Sequence, residues 1–406
     1  MYNQTFKQTM KQLVLTMGLA LAVVFSAQAQ KKNKKGNEEP YQFTEVKVIP
    51  NTSVKDQNRS GTCWSFSGIS FLESEVLRIK GDTVDLSDMY PVYKCYVLKG
   101  DKYVRMHGRT ELATGGASND VADVLEVYGM VPEDVFPGLN YGVDAHDHSE
   151  LDAVLGGFLK GVVRGNRPTT AWKDAYVGIL ESYLGEDPET FTYNGKEYTP
   201  RSYADELGLD ADNYIKFTSY THHPFYTQYE MDVPDNWNHG MVYNVPLDEF
   251  QRIVENAVEN GYSLVWGGDV SDPGFSWKHG VAIMPDAEIT DLTGTDRDKW
   301  ETMSQDEKRK SAYSFERIVP EKQISQEDRQ KNYDSWAATD DHGMHLVGIA
   351  KDQKGNTYFK IKNSWNVSNI YDGYLYMSVP FFRANTLDIM VHKDAVPADI
   401  RAKLGI

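Results

Sequence analysis

The chain has 406 residues, a formal charge of −17 and only two cysteines, Cys63 and Cys95. That length holds one large domain or two of ordinary size. So acidic a chain argues against nucleic acid or an anionic membrane as a partner, and two cysteines exclude a disulfide framework.

Residues 1–29 read as a targeting segment. Lys7 and Lys11 give a positive start, Leu13 to Phe25 an apolar core, and Ala27-Gln28-Ala29 a small-residue cleavage site. The apolar run is too short and interrupted for a spanning helix. Cleavage after Ala29 and export, periplasmic or secreted, are therefore expected, with no membrane anchor retained. No cysteine stands at the cleavage site, which argues against a lipoprotein. Residues 30–41 are rich in Lys, Asn and Glu and are expected to form a disordered linker. The folded domain is expected over residues 42–406, opening with a short strand around Val46-Lys47-Val48-Ile49.

The chemistry starts at residues 57–77. Trp64, Phe71, Leu72, Val76 and Ile79 recur at helical spacing and predict one apolar face. Ser60, Gly61 and Thr62 are turn and cap residues, so the helix should begin at or near Cys63. A helix N-terminus carries partial positive charge, which favours a thiolate, and its free N–H groups can hold an oxyanion. Gln57, six residues upstream, is close enough to donate a second hydrogen bond there. Cys63 therefore reads as a nucleophile. Cys95 reads as a buried free thiol, since a bridge between the two would consume the nucleophile.

Thr114-Gly115-Gly116-Ala117-Ser118 precedes a helix marked by Val121, Val124, Leu125 and Tyr128 and closed by Gly129. Turn chemistry alone makes the glycine pair a loop. The long stretch between Gly116 and His342 is expected to hold an insertion, approximately 140–335, rather than an empty loop. Within it, Leu247, Phe250, Ile253, Val254, Ala257 and Val258 form a helical stripe ending at Gly261, followed by a buried strand at Tyr262–Trp266. Residues 286–332 are rich in charge and should be exposed helices and loops.

Near the C-terminus, Asp341-His342-Gly343-Met344-His345 and Tyr358 to Trp365 flank the turn cluster Asp352-Gln353-Lys354-Gly355-Asn356. They read as a hairpin in which His342 starts one strand and Asn363 ends the other, side by side. A thiol nucleophile needs a base, and the base an orienting group. His345 competes with His342, but residues three apart in a strand face opposite sides. His146-Asp147-His148 and His222-His223 lack the convergent spacing of a ligand set, so no metal and no cofactor is expected.

The order Gln57, Cys63, His342, Asn363, with W-S-F-S after the cysteine and N-S-W around the asparagine, resembles the papain-like cysteine peptidases. Gly129-Met130-Val131-Pro132, D-V-P-D-N-W and E-N-G-Y-S-L-V-W-G-G-D-V-S resemble the bleomycin hydrolase branch, also called aminopeptidase C, over roughly residues 45–400. The resemblance implies an α+β papain-like fold with a helical lobe, a barrel-like antiparallel lobe and a large insertion before His342. It also implies a Cys63–His342–Asn363 triad, with Gln57 at the oxyanion. Gly115 and Gly116 would line a cleft in which peptide pairs as an added strand, while Trp64 and Trp365 support the site and Trp365 shields the His342–Asn363 bond. Peptides would be the substrates and a homo-oligomer is a family possibility. Members of the branch carry a C-terminal arm that enters the cleft, and the ending Asp399 to Ile406 is expected to leave no room for one. Aminopeptidase action is therefore the expectation, with an open-cleft endopeptidase and a non-catalytic peptide-binding relative as alternatives.

Overall fold

The helix at the cysteine begins directly after the turn residues Ser60-Gly61-Thr62, with no side-chain cap bond. In the computed structural model, which describes residues 40–165 and 167–406, the first strand β1 (Phe43–Val48) leads to helix α1 (Cys63–Lys80). The helix stops at Gly81, whose φ of 74° a side chain would resist. The expected targeting segment and residues 30–39 of the linker lie outside the described residues. Tyr41, placed in the linker on composition, is buried with its ring edge-on to Tyr358, so the packed chain starts one residue before the expected boundary at 42.

One face of α1 was expected to be apolar, but the helix is buried on every side from Trp64 to Val76, while Ile79 is 40% exposed. The reason is its position between two lobes. On one side lie α2 (Met89–Arg105), α3 (Asn119–Val127), α4 (Ser149–Arg164), α5 (Ala171–Leu184) and α6 (Pro200–Leu207), which share one apolar core with it. Gly68 marks the closest approach, because a Cβ there would lie 2.6 Å from Val121 Cγ2. Gly129, at φ +89°, closes α3 as expected, and a side chain there would overlap the Pro200 backbone.

The other lobe is a mixed, largely antiparallel sheet. A small hairpin, β2 (Phe191–Tyr193) with β3 (Lys196–Tyr198), stands apart from it. Its members are β4 (Tyr214–Thr218), β5 (Gln228–Glu230), β6 (Met241–Asn244), β7 (Leu264–Gly268), β8 (Phe275–Ser276), β9 (Val281–Ala282), β10 (His342–Asp352), β11 (Thr357–Lys362), β12 (Tyr374–Ser378) and β13 (Thr386–His392). They run in the order β5-β6-β4-β13-β7-β10-β11-β12-β9-β8, and β1 pairs with the far half of β10. The expected hairpin is β10–β11, turning through Asp352–Asn356, where Asp352 Oδ1 accepts the N–H groups of Lys354 and Asn356.

Residues 140–335 do not form a body of their own. Their helices α4–α6 complete the helical core, and β4–β9 belong to the main sheet. Helix α7 (Leu247–Glu259) buries all six residues of its predicted stripe beneath that sheet. The strand expected at Tyr262–Trp266 is shifted to Leu264–Gly268. Glycine disfavours strands, but a Cβ at Gly267 would lie 2.6 Å from Asp388 Oδ1, and one at Gly268 would meet the Trp266 ring at 2.5 Å. Close approach, not propensity, decides that stretch.

The charged stretch contains α8 (Gly294–Thr302), α9 (Gln305–Ala312) and α10 (Gln326–Asp334). It is exposed as expected, with Arg329 as an exception at 0% exposure. Its guanidinium donates to the carbonyls of Ser219, Arg383 and Leu387 and lies over the rings of Tyr220 and Phe250. These contacts anchor α10 to helix α11 (Val379–Asn385) and to β13. The last helix, α12 (Ala398–Leu404), is held against α7 by Arg252–Asp399 and Lys403–Glu249 pairs.

Arg329→Leu removes one donor from each of three carbonyls, of which Ser219 O keeps Gln326 Nε2 and Leu387 O keeps Thr218 Oγ1, and the loss is offset in part by relief from burying a charge. An unfolding free energy lower by about 2–3 kcal/mol is expected, read as a lower midpoint in thermal and urea unfolding. An unchanged midpoint would mean that the two effects cancel.

Candidate active site

The site lies where the two lobes meet. Cys63 is the first residue of α1, and His342 is the first residue of β10. A glycine brings the two elements together. A Cβ at Gly343 would lie 2.9 Å from Ser67 Oγ, 3.3 Å from Trp64 Cα and 3.4 Å from Cys63 O. Strand β10 thus rests on the first turn of α1 with no side chain between them.

His342 is buried, and its Nε2 lies 2.8 Å from Asn363 Oδ1. Asn363 directly follows β11, so the hairpin sets that distance. The bond assigns the proton to Nε2 and leaves Nδ1 as the free base. The Trp365 ring packs on the imidazole with centroids 4.5 Å apart, and Trp277 and Phe275 pack edge-on to Trp365. His345 is turned elsewhere, with Nδ1 2.8 Å from Ser70 Oγ, two turns further along α1.

The loop before α1 is fastened to the end of the hairpin. Gln57 N donates to Ser364 O at 2.9 Å, and Ser364 Oγ donates to Gln57 Oε1 at 2.6 Å. Gln57 is buried, and its Nε2 has no partner among the described residues. The Thr62 hydroxyl pairs with Ser60 Oγ at 2.5 Å rather than capping the helix; the Ser65 N–H turns back to Thr62 O at 2.9 Å, and the Cys63 N–H is left without a capping side chain.

A cavity runs from Cys63 and His342 to Gly116, Ser118, Asp235, Asp340 and Asp388. Gly116 is part of its wall, where a Cβ would lie 2.8 Å from the Trp64 ring. Trp64 is buried and fixes that segment by donating from Nε1 to Thr114 O at 3.0 Å. Gly115 stands one residue outside the wall, and a Cβ there would overlap the Asp235 carboxylate. None of residues 398–406 lines this cavity.

Burial sets the protonation of the pair. Desolvation pushes the Cys63 thiol up to about 11, against the N–H groups of Gly343 and Trp64, which favour the thiolate. The helix terminus was expected to lower that value; at this partly exposed thiol desolvation outweighs it. Desolvation also pulls His342 down to about 4, opposed by the Asn363 bond. Both groups are therefore neutral at rest near pH 7. Cys95 is buried, and its thiol is likewise raised by desolvation.

The histidine clusters fall outside this site. His146 and His148 are buried and pack on each other, on Phe66 and on Tyr96. His222, His223 and Asp232 bring one ligand atom each within 4.8 Å of one another, a convergence with Asp232 that sequence spacing does not reveal. Their rings are stacked on Tyr333 and Tyr229, and His222 Nδ1 faces Gln330 Nε2 at 3.2 Å.

A model of the Peptidase C1-like family matches residues 1–405. The chain belongs to the Peptidase C1-like family. It is thereby a cysteine-type peptidase, and its α+β architecture is the papain-like fold expected from the sequence. Aminopeptidase C of Lactobacillus delbrueckii subsp. lactis is 23% identical over 399 residues, covering 87% of this chain and 82% of that one. Aminopeptidase G of the same organism is 22% identical over 396 residues, covering 86% and 83%. In fold, the chain is similar to the crystal structure of PepW from Lactobacillus rhamnosis, with a TM-score of 0.68 at 17% identity, over 100% of this chain and 95% of that one.

Sequence reasoning missed Ser364 as the tether of Gln57, although it lies inside the N-S-W motif. It also missed Asp235, Asp340 and Asp388, which come from three separate segments and carry no local pattern.

Two measurements check this geometry. Gly343→Ala inserts a methyl group into the seam, and a loss of peptidase activity of roughly tenfold or more is expected with the fold retained, because displacements near 1 Å are costly at reacting groups. In a proton NMR titration, His342 should stay neutral from pH 8 to 5 and take up its proton only as the pH approaches 4. A resonance titrating above pH 7 would instead mean a resting thiolate–imidazolium pair.

Proposed function

We propose that the chain hydrolyses peptides through Cys63, His342 and Asn363, acting as an aminopeptidase on chains with a free amino terminus. The observation that carries the reading is the junction of α1 and β10: the only thiol at the cleft and an Asn-held imidazole line one cavity that a peptide can enter. The relatives named aminopeptidase support the exopeptidase part.

The reaction divides into two acyl transfers. Nδ1 of His342 takes the thiol proton as Sγ attacks the scissile carbonyl, then gives it to the departing amine. The acyl-enzyme is hydrolysed by a water that the same imidazole deprotonates. Asn363 Oδ1 holds the ring and favours the imidazolium as it forms, which offsets the desolvation that keeps it neutral at rest. The Cys63 N–H and Gln57 Nε2 are the donors for the tetrahedral oxyanion. Gly116 offers bare backbone to an extended substrate, and Trp365 keeps water from the His342–Asn363 bond. The N-terminal pattern at residues 1–29 assigns this work to the outside of the cytoplasm; sequencing the mature amino terminus checks it.

Cys63→Ala should lower kcat/KM for free-amino aminoacyl amides by roughly a thousandfold or more, and Asn363→Ala by roughly a hundredfold. Absence of any Cys63-dependent turnover would return the chain to the peptide-binding reading. Equal cleavage of amino-blocked peptides would make it an endopeptidase.

A further inference from the structure

The cleft wall holds three carboxylates, and they differ in what they already bind. Asp388 faces Lys216 Nζ at 2.7 Å and Ser118 Oγ at 3.4 Å. Asp340 Oδ2 accepts the backbone N–H of Asp235 at 2.9 Å. The Asp235 side chain has no hydrogen bond and no ion pair among the described residues, although it is only partly exposed. Lys99, a buried cation whose charge acts on it, is already committed to the carbonyls of Ala113 and Gly115.

The place of Asp235 is as telling as its lack of partners. Its carboxylate lies directly against the Cα of Gly115, and a Cβ there would overlap both oxygens. It therefore stands over the backbone next to Gly116, on the wall along which an extended substrate would continue. Its backbone N–H bond to Asp340 fixes the loop that carries it. Behind Gly116 a further carboxylate, Asp120, is 1% exposed, with Oδ2 held by Trp237 Nε1 and Ala117 N, and with Oδ1 lacking a partner. This end of the cleft is acidic, and among the described residues no cation forms an ion pair with Asp235 at its opening.

A carboxylate left without a donor in a half-buried cleft costs free energy unless a ligand supplies one. The ligand here is a peptide whose carbonyl must reach Cys63. The one cation that every unmodified peptide carries is its α-ammonium, and it offers three donors.

We propose that Asp235 is the specificity-determining residue that binds the α-ammonium of the substrate and, by covering Gly115, stops a longer chain from extending past Gly116. The inference rests on the aminopeptidase reading and names the group responsible for it. An acetylated amine has lost the charge and brings a carbonyl oxygen against the carboxylate, so it is rejected twice. Burial and the neighbouring Asp340 push the Asp235 carboxyl up to about 7, which an arriving ammonium would reverse.

The test compares a free-amino aminoacyl amide with its amino-acetylated counterpart, for the intact protein and for Asp235→Asn, a near-isosteric change. Thermal unfolding confirms that the variant is folded. The intact enzyme should prefer the free amine, and Asp235→Asn should narrow the ratio of kcat/KM values by about 10- to 100-fold, mainly through KM for the free amine. An unchanged ratio in a folded Asp235→Asn protein, or an equal loss on both substrates, would overturn the assignment while leaving the aminopeptidase reading intact. If the intact enzyme itself shows no preference for the free amine, that reading fails, and the role of Asp235 fails with it.

Discussion

Everything at the site depends on one close contact, the seating of β10 on the first turn of α1. Backbone meets backbone there because residue 343 is glycine, with Ser67, Trp64 and Cys63 within reach of a Cβ that does not exist. Neither lobe contains the chemistry alone. Helix α1 carries the thiol and the uncapped N–H groups, while the sheet carries the imidazole and its amide partner. Because interiors are close-packed, a displacement at this seam has no soft layer to absorb it. The two cores that meet along α1 therefore act as the rigid frame of a site that belongs to both.

Burial pushes both kinds of titratable group in the cleft toward their neutral forms. It keeps Cys63 and His342 neutral, which removes the cost of holding an ion pair in a dry site but leaves the thiol a poor nucleophile at rest. It also raises the carboxyls of Asp235 and Asp340 on the wall and of Asp120 behind it, so the acidic wall is only partly charged when empty. A cationic ligand end reverses that second effect by supplying the missing charge. Electrostatics in this cleft is thus completed by what binds to it.

The parts legible in the sequence are those with a local physical signature. The cap residues Ser60 to Thr62 located the start of α1, the stripe from Leu247 to Val258 gave α7, and the turn at Asp352–Asn356 gave the hairpin that carries His342 and Asn363. What stayed hidden depends on contacts distant in sequence. Burial of α1 on both faces erased the polar side that an amphipathic reading expects. Gly267 and Gly268 continue a strand because Asp388 and Trp266 lie close, which no propensity scale records. Arg329 reads as one more charge in a charged stretch, until carbonyls of three other segments converge on it.

The same distinction separates the groups proposed to carry the reaction from the one proposed to choose the substrate. Cys63, His342, Asn363 and Gln57 are recognisable one by one, because each needs a particular neighbour in sequence: a cap, a strand start, a strand end, a preceding turn. Asp235 has no such requirement. It lies in an irregular aromatic segment, and its meaning comes from facing Gly115, 120 positions earlier, and from Lys99 being occupied elsewhere. The loops that approach a cleft are free of the packing and capping rules that govern the elements beneath them. On the proposed role of Asp235, a chain of this fold can keep its reaction while changing whether it requires a free amino terminus, by moving one carboxylate on or off the wall.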